Sequence, residues 1–440
     1  MTEMTLQRSA AAPVGSTQPA TAQTSTPGKR KRLMAVDAVR GASLLGMIIL
    51  HSVYESNADG QPTWSFTAFS GRAAAAFAVL SGVGIAFATG RRRAQFFGGR
   101  ATVAALAARA LAIGAIGLLL GDADAVLNAV ILPYLAVAFL LAIPLVFLPT
   151  WAIAVIGMAL AAGMPALSHV LRPQLAEPSL GNATFGYLVT RPVELLTELS
   201  ITGFYPALSW LAYVCAGLVI GRLDLTKLKV AIALLGVGIV LGVGAPAASS
   251  ALLHRYGGMG HIWKAQPGSG LTQSETIQLL IFGGDGTTPT STWWWLVTDA
   301  RHTTTPLDIL GTAGIAIALL GVMLLASRIT RPSLRWLITA VQAPLAAVGT
   351  LTLTFYGAHI MFINSEYDTY DAATSCLVQV VATLLIGIGW HTLVGRGPLE
   401  GIVVGFASRA RNLSTRSKRR QPPELPDERG QSSLQIAKNC

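Results

Sequence analysis

Charge is scarce in this sequence. Lysine, arginine, aspartate and glutamate together supply 12% of the 440 residues, about half of the roughly 25% carried by soluble domains. A water-soluble fold of this size could not cover its surface with so few charges, and that class is excluded. Cysteine is equally sparse: Cys215, Cys376 and Cys440 show no paired spacing, so neither a disulfide framework nor a metal site is implied. Cys215 and Cys376 lie in or beside apolar stretches, where the thiol serves as a small hydrophobe. The first 28 residues lack an apolar run and are rich in Ser, Thr, Pro, Ala and Gln, which excludes a signal peptide there and reads as a disordered cytoplasmic arm. No nucleotide fingerprint, Ser/His/Asp order or metal cluster is present. The glycines at 82, 84, 114, 117, 236 and 238 fall inside apolar helices, where close packing by small residues explains them better than a phosphate loop.

Hydrophobicity is abundant. Apolar residues make up 52% of the chain, and the mean hydropathy is +0.55. Stretches such as Ala101–Leu120, broken only by Arg109, and Ala125–Leu148 have the roughly 20-residue length that crosses a hydrocarbon core. The expected fold is all-α, a polytopic membrane helix bundle of about ten transmembrane helices: Met34–Val53, Thr67–Thr89, Ala101–Leu120, Ala125–Phe147, Trp151–Leu171, Gly203–Ile220, Val230–Ala248, Leu307–Ala326, Ile338–Phe362 and Ala373–Val394. The net charge of +11 is a topology signal rather than a nucleic-acid footprint. Basic runs at Lys29–Arg32, Arg91–Arg93, Arg328–Arg335 and Arg409–Arg420 alternate with acid-leaning loops around Glu55 and Asp59, Asp122 and Asp124, and Glu366, Asp368 and Asp371. This positive-inside alternation, with an even number of spans, places both termini in the cytoplasm. Three segments are expected: a disordered cytoplasmic arm (1–31), a transmembrane domain (32–400) and a basic, then mixed-charge cytoplasmic tail (401–440), its basic part lying on anionic lipid headgroups. Composition and Arg-rich ends suggest a bacterial plasma membrane. Two outer loops are long, 172–202 and 249–306, and the run Trp293–Trp295 in the second reads either as interfacial belt residues or as a platform over an entrance.

One constellation carries chemistry. In the first span, Asp37 and Arg40 are three positions apart and share a helical face. His51 follows eleven positions after Arg40, close to three full turns and roughly 16 Å along the axis. All three point along one stripe, which charged groups inside a membrane direct toward the bundle interior. An anionic donor gripped by Arg40 on the inside and a histidine acting as general base or nucleophile near the outside would suit a reaction conducted across the membrane. The bland alternative is that Asp37 and Arg40 anchor the helix while His51 hydrogen-bonds a neighbour.

The string Asp37-x2-Arg40-Gly41-x9-His51 resembles the first-helix signature of transmembrane acyltransferases of the acyltransferase-3 type. The wider pattern RLMAVDAVRGASLLGMIILH, then SGRAAAAFAVLSGVGIAFA, VILPYLAVAFLLAIPLVF, FYPALSWLAYVCAGLVIGRLDL, LTLTFYGAHIMF and GRGPLE, resembles bacterial heparan-α-glucosaminide N-acetyltransferase-like proteins. The resemblance implies transfer of an acyl group, often acetyl, from cytoplasmic acyl-CoA to an extracytoplasmic sugar amine or hydroxyl on a glycan or glycolipid, with no permanently bound cofactor. It carries catalytic roles onto His51, Asp37 and Arg40, the last also holding the acyl-CoA. The lysosomal sugar enzymes keep their active histidine in the loop after the first span. Here no histidine stands between His51 and His169, so His51 takes the acyltransferase-3 placement. A related group of bacterial membrane proteins shares the Asp-Arg-Gly and GRGPLE features with Asn where His51 stands.

Four further residues are candidate substrate contacts. Glu55, four positions after His51, would orient the imidazole if the helix continued that far, and is a solvated loop charge otherwise. Arg72 opens the second span and either snorkels to headgroups or holds an acceptor carboxylate or oxyanion. Tyr356 and His359 share a face of the ninth span at a depth similar to His51; a buried, satisfied histidine is the ordinary reading of His359. The competing function is a multi-pass transporter or exporter of a small or lipid-linked solute, with Asp37, Arg40 and Arg72 lining a polar path. A scaffold with degenerate site residues is a third.

Overall fold

The computed structural model describes residues 33–95 and 99–419, with side chains to residue 415. The N-terminal arm (1–31), the basic run Lys29–Arg32 and the end of the tail (420–440) lie outside the described residues. Among the described residues seventeen α-helices follow one another: α1 Met34–Ser52, α2 Trp64–Phe69, α3 Arg72–Ala88, α4 Arg100–Leu119, α5 Leu132–Leu145, α6 Thr150–Leu171, α7 Phe185–Thr190, α8 Pro192–Thr197, α9 Ala207–Arg222, α10 Leu228–Ser250, α11 Gly258–Ala265, α12 Gln273–Phe282, α13 Pro306–Ala326, α14 Pro332–Gly349, α15 Thr352–Ile363, α16 Ala372–Leu393 and α17 Pro398–Arg419. No β-strand occurs among the described residues. Helices are what a bilayer selects, because each satisfies its own backbone where no water can.

Among the described residues seven helical segments are long and apolar enough to cross a membrane, and two bent pairs raise the number to nine. The expectation of about ten holds, with three adjustments. The span expected over Ala125–Phe147 contains a helix of only 14 residues, Leu132–Leu145, preceded by irregular chain. The span expected over Ile338–Phe362 is broken between α14 and α15, which meet at 76°. The boundary drawn at 400/401 falls inside α17, which packs on α4.

Small residues let the helices meet backbone to backbone. A Cβ on Gly82 or Gly217 would collide with the facing carbonyl of α9 or α3, and Gly238 and Gly314 make the corresponding approach between α10 and α13. Helix α1 is held the same way against α14, through Gly41 and Gly349. Of the other glycines read as packing positions, Gly114 and Gly117 face α5, Gly84 faces Arg40, and Gly236 meets nothing.

The two ends of the bundle differ. At one, arginines seize helix-end carbonyls that lack intrahelical partners: Arg91 donates to Leu223 O at 2.6 Å, Arg93 to Phe147 O at 2.6 Å, Arg222 to Val146 O at 2.8 Å and Leu148 O at 2.7 Å, and Arg328 to Leu225 O at 3.4 Å. At the other, the long segment after α10 folds into a cap. There Trp295, Leu253 and Ile262 form a small core with Leu279, Leu280, Trp294 and Val297 packed against it. The tryptophan run is therefore neither simply a belt nor simply a platform: Trp295 is fully buried, while Trp293 is 56% exposed and packs on His169.

Candidate active site

Helix α1 carries a polar group near each end. In its first half Arg40 pairs with Asp37 at 3.0 Å and donates to Leu80 O of α3 at 3.3 Å. Both partners are largely buried, and Asp37 in the first turn also complements the helix dipole. In its last turn His51 Nδ1 lies 3.1 Å from His359 Nε2 of α15, the two rings stacked with 5.3 Å between centroids. His359 Nδ1 lies 2.6 Å from Gln379 Oε1 of α16, and Gln379 Nε2 donates to Ser52 Oγ at 3.1 Å and Ser375 Oγ at 3.0 Å.

This chain of contacts fixes protons. Ser52 Oγ gives its own hydrogen to Ile48 O at 2.8 Å, so toward Gln379 it accepts. That sets the amide with its NH2 group on the serines and its oxygen on His359. An amide oxygen only accepts, so His359 carries its hydrogen on Nδ1 and, when neutral, a lone pair on Nε2. His51 must then donate from Nδ1, which leaves its own lone pair on Nε2. If His51 takes up a proton there, Nδ1–H keeps its acceptor and the imidazolium is stabilised without a carboxylate. A Ser–His–Asp triad orients its histidine in the same sense with a charged group; here a neutral histidine backed by an amide does so.

Local sequence explains why these elements meet. Asp371 caps α16 by accepting from the amides of Ala373 and Thr374, a charge-assisted N-cap. Helix α15 lacks a cap of its own at Leu351. Glu400 supplies one, accepting from Leu353 N at 2.7 Å, Thr354 N at 3.2 Å and Thr354 Oγ1 at 2.6 Å. The GRGPLE motif thus acts as a remote cap for the helix that bears Tyr356 and His359. Tyr356 is buried and accepts from Ile131 N at 3.2 Å.

His51 borders a cavity of about 30 Å3, whose wall also includes Met47, Phe69, Tyr205, His302 and Tyr356. His302 comes from the cap. Past α12 the chain turns through Gly283 and Gly286, both at positive φ, where a Cβ would strike the carbonyls of Arg301 and Gly203. Their stretch clamps onto residues 301 and 302 through Gly284 N to Arg301 O at 2.9 Å and Gly286 N to His302 O at 2.7 Å. His302 then accepts from Gly71 N at 3.1 Å through Nε2. Burial, with Arg301 adding repulsion, pushes its pKa down to about 4, so it is neutral at pH 7.

The remaining candidates are arranged differently from the sequence expectation. Helix α1 ends at Ser52, so Glu55 falls in the following loop, exposed, and the partner of His51 Nδ1 is His359. Glu55 keeps different company: crowding by protein and then proximity to Asp285 raise its carboxyl pKa, and burial likewise raises that of Asp285. Arg72 donates to Thr67 O, the carbonyl that Arg301 also reaches at 3.4 Å. It stands beside cavity-lining Gly71 and Ala73 without lining the cavity itself. Arg40 is not among the lining residues either; buried Leu44, Met47 and Ile48 occupy α1 between it and His51. Sequence reasoning missed Gln379 and His302 as site residues. A polar side chain in the middle of the last apolar span was the available signal for the first; for the second there was only a histidine in a long loop.

The fold defines a polytopic membrane helix bundle. Residues 32–241, a little under half of the chain, match the family model described as heparan-alpha-glucosaminide N-acetyltransferase, catalytic. Over that segment the chain is similar to the heparan-alpha-glucosaminide N-acetyltransferase family of membrane acyltransferases, as the wider sequence pattern implied. Asp37, Arg40, His51, Glu55 and Arg72 lie inside the matched segment; His302, Tyr356, His359 and Gln379 lie beyond it. No curated protein matches the sequence.

Proposed function

We propose that this enzyme moves an acyl group, acetyl in the simplest case, from cytoplasmic acyl-CoA to an extracytoplasmic sugar amine or hydroxyl on a glycan or glycolipid, with no permanently bound cofactor. The observation that carries this reading is the His51 ring: Nδ1 is committed to His359, Nε2 is left with the lone pair, and the ring borders a cavity. In this scheme Nε2 takes the proton of the attacking N–H or O–H while the new C–N or C–O bond forms at the thioester carbon. The C–S bond breaks, and the departing thiolate takes up a proton as His51 gives up the one it took, leaving free coenzyme A and a neutral ring. Arg40, on the same helix, holds the donor. Arg72 and Arg301 flank the acceptor side, where they suit an oxyanion or carboxylate.

The arginine-rich end of the bundle supports the cytoplasmic assignment of both termini, and the Arg-rich, Ala-rich composition supports a bacterial plasma membrane. The cavity beside His51 has room for about one water, so in this reading an acceptor gains access when the cap formed by residues 251–305 shifts. The test is thiol release by purified full-length protein in lipid nanodiscs, supplied with acetyl-CoA and an amino sugar. Acceptor-dependent release of coenzyme A is expected. Solute flux across vesicles without an acyl donor, and no thiol release, would establish the transporter instead.

A further inference from the structure

Three polar rings share the wall of the cavity with His51, and hydrogen bonding fixes what each offers. Gly71 N donates to His302 Nε2 at 3.1 Å, so that nitrogen bears the lone pair and the one hydrogen of the neutral imidazole sits on Nδ1. Among the described residues Nδ1 has no hydrogen-bond partner. Tyr356 Oη accepts from Ile131 N at 3.2 Å, which leaves its hydroxyl hydrogen without an acceptor among the described residues. Ile131 borders the same cavity, so the hydroxyl end of Tyr356 stands at it. Tyr205 is committed elsewhere: its hydroxyl turns to Ala129 O at 3.5 Å, and its ring packs edge-on against His302 with 5.7 Å between centroids. The wall thus presents one lone pair, on His51 Nε2, and two hydrogens, on His302 Nδ1 and Tyr356 Oη. A space of about 30 Å3, enough for roughly one water, brings all three to bear on a single small group. His302 is also held firmly. Its φ of 55° is left-handed, a conformation that a residue other than glycine keeps only where its surroundings impose it. The bonds from Gly284 N to Arg301 O and from Gly286 N to His302 O do so.

We infer that His302 Nδ1–H and Tyr356 Oη–H form the oxyanion site of the transfer, meeting the thioester oxygen while His51 Nε2 takes the acceptor's proton. The inference rests on the proposed function for its acyl donor. As the acceptor nitrogen or oxygen bonds to the thioester carbon, an electron pair of the carbonyl moves onto its oxygen. Two donors already in place stabilise that charge where it develops. The pair returns to restore C=O as the C–S bond breaks. Arg72 and Arg301 do not line the cavity, which leaves them for charged groups of the acceptor. His302 arrives from the cap and Tyr356 from α15, so the two donors face one space only with the cap seated. Bond-making is thereby tied to closure of the cap over the acceptor.

The test uses full-length protein in lipid nanodiscs and S-acetonyl-coenzyme A, a ketone analogue of acetyl-CoA that cannot lose its thiol, with an isotope-labelled carbonyl read by difference infrared spectroscopy. Bound to wild type, the carbonyl stretch is expected at lower frequency than for the free analogue in buffer, because two donors polarise it. Tyr356→Phe removes one donor and keeps the ring. His302→Gln keeps an acceptor for Gly71 N and removes the Nδ1 hydrogen, so a merely structural role of His302 at the start of α3 survives in it. Each substitution should move the bound frequency back toward the free value and lower kcat with acetyl-CoA about 100-fold, at a KM within about twofold of wild type. Bound analogue with an unshifted carbonyl, or a shift that either substitution leaves unchanged, overturns the pair while leaving the proposed reaction intact. If wild type does not bind the analogue at all, the proposed donor fails and the oxyanion site falls with it.

Discussion

The two halves of α1 solve the problem of a polar group in a membrane in opposite ways. Around Arg40 the groups are charged, and the charge is answered by Asp37 and by a carbonyl of α3. Around His51 the groups are neutral: two imidazoles, an amide and two hydroxyls, each with a donor meeting an acceptor. A fixed charge suits holding an anionic ligand. A neutral network suits moving a proton, because one site can change protonation without leaving a neighbour unpaired. In the proposed reaction one helix would supply a grip and a base about three turns apart.

Substitutions at the two ends should separate along that line. The largest effect is expected from His51→Ala, which removes the base: turnover should fall by about 10²–10⁴-fold, with coenzyme A binding retained in calorimetry. At the other end, Arg40→Ala should raise the KM for acyl-CoA about tenfold, equivalent to about 1.4 kcal/mol, and change kcat much less. Equal losses in kcat and KM at both ends would erase the distinction between grip and base. Gln379→Leu comes next. It frees His359 to flip its tautomer, so kcat should fall about tenfold, again about 1.4 kcal/mol, at unchanged KM. Gln379→Glu, which restores an acceptor for His359 Nδ1, should recover part of that loss.

Smaller effects concern the cap. Above pH 6.5 His302 is neutral in folded and unfolded chain alike. Between 6.5 and about 4 the unfolded chain binds a proton that the folded chain refuses, so stability falls as pH drops through this window. His302→Asn should flatten that decline, read as the difference in melting temperature between pH 7 and pH 5. The smallest effect is expected from Glu55→Gln, within about twofold of wild-type turnover, because no hydrogen bond ties Glu55 to His51. A loss of tenfold or more there would return Glu55 to the role that His359 occupies in this account.

Much of this site was legible from helical arithmetic. Asp37 and Arg40 are paired as an i, i+3 spacing predicts, and His51 falls on the same inward stripe because eleven residues close three turns. The apolar runs likewise marked the spans, since length and composition suffice where the solvent is lipid. What periodicity cannot carry is the meeting of distant helices. The partner of His51 is 308 positions away and that partner's own partner is a further 20, contacts set by how α1, α15 and α16 pack. The end of α1 at Ser52 was equally hidden, because the residues up to Glu55 could have continued the helix. The 76° break at Thr350 and Leu351 lies inside a stretch that reads as one mostly apolar span, and only Glu400, 47 positions on from Leu353, shows how α15 can begin there.

The most direct measurement of the central claim is the ¹⁵N spectrum of histidine-labelled protein in nanodiscs at pH 7, with His51 and His359 assigned by their loss in His51→Gln and His359→Gln. Both rings are expected to be neutral and protonated at Nδ1, with Nε2 of His51 bare. A His51 ring protonated at Nε2 with a bare Nδ1 would contradict that claim.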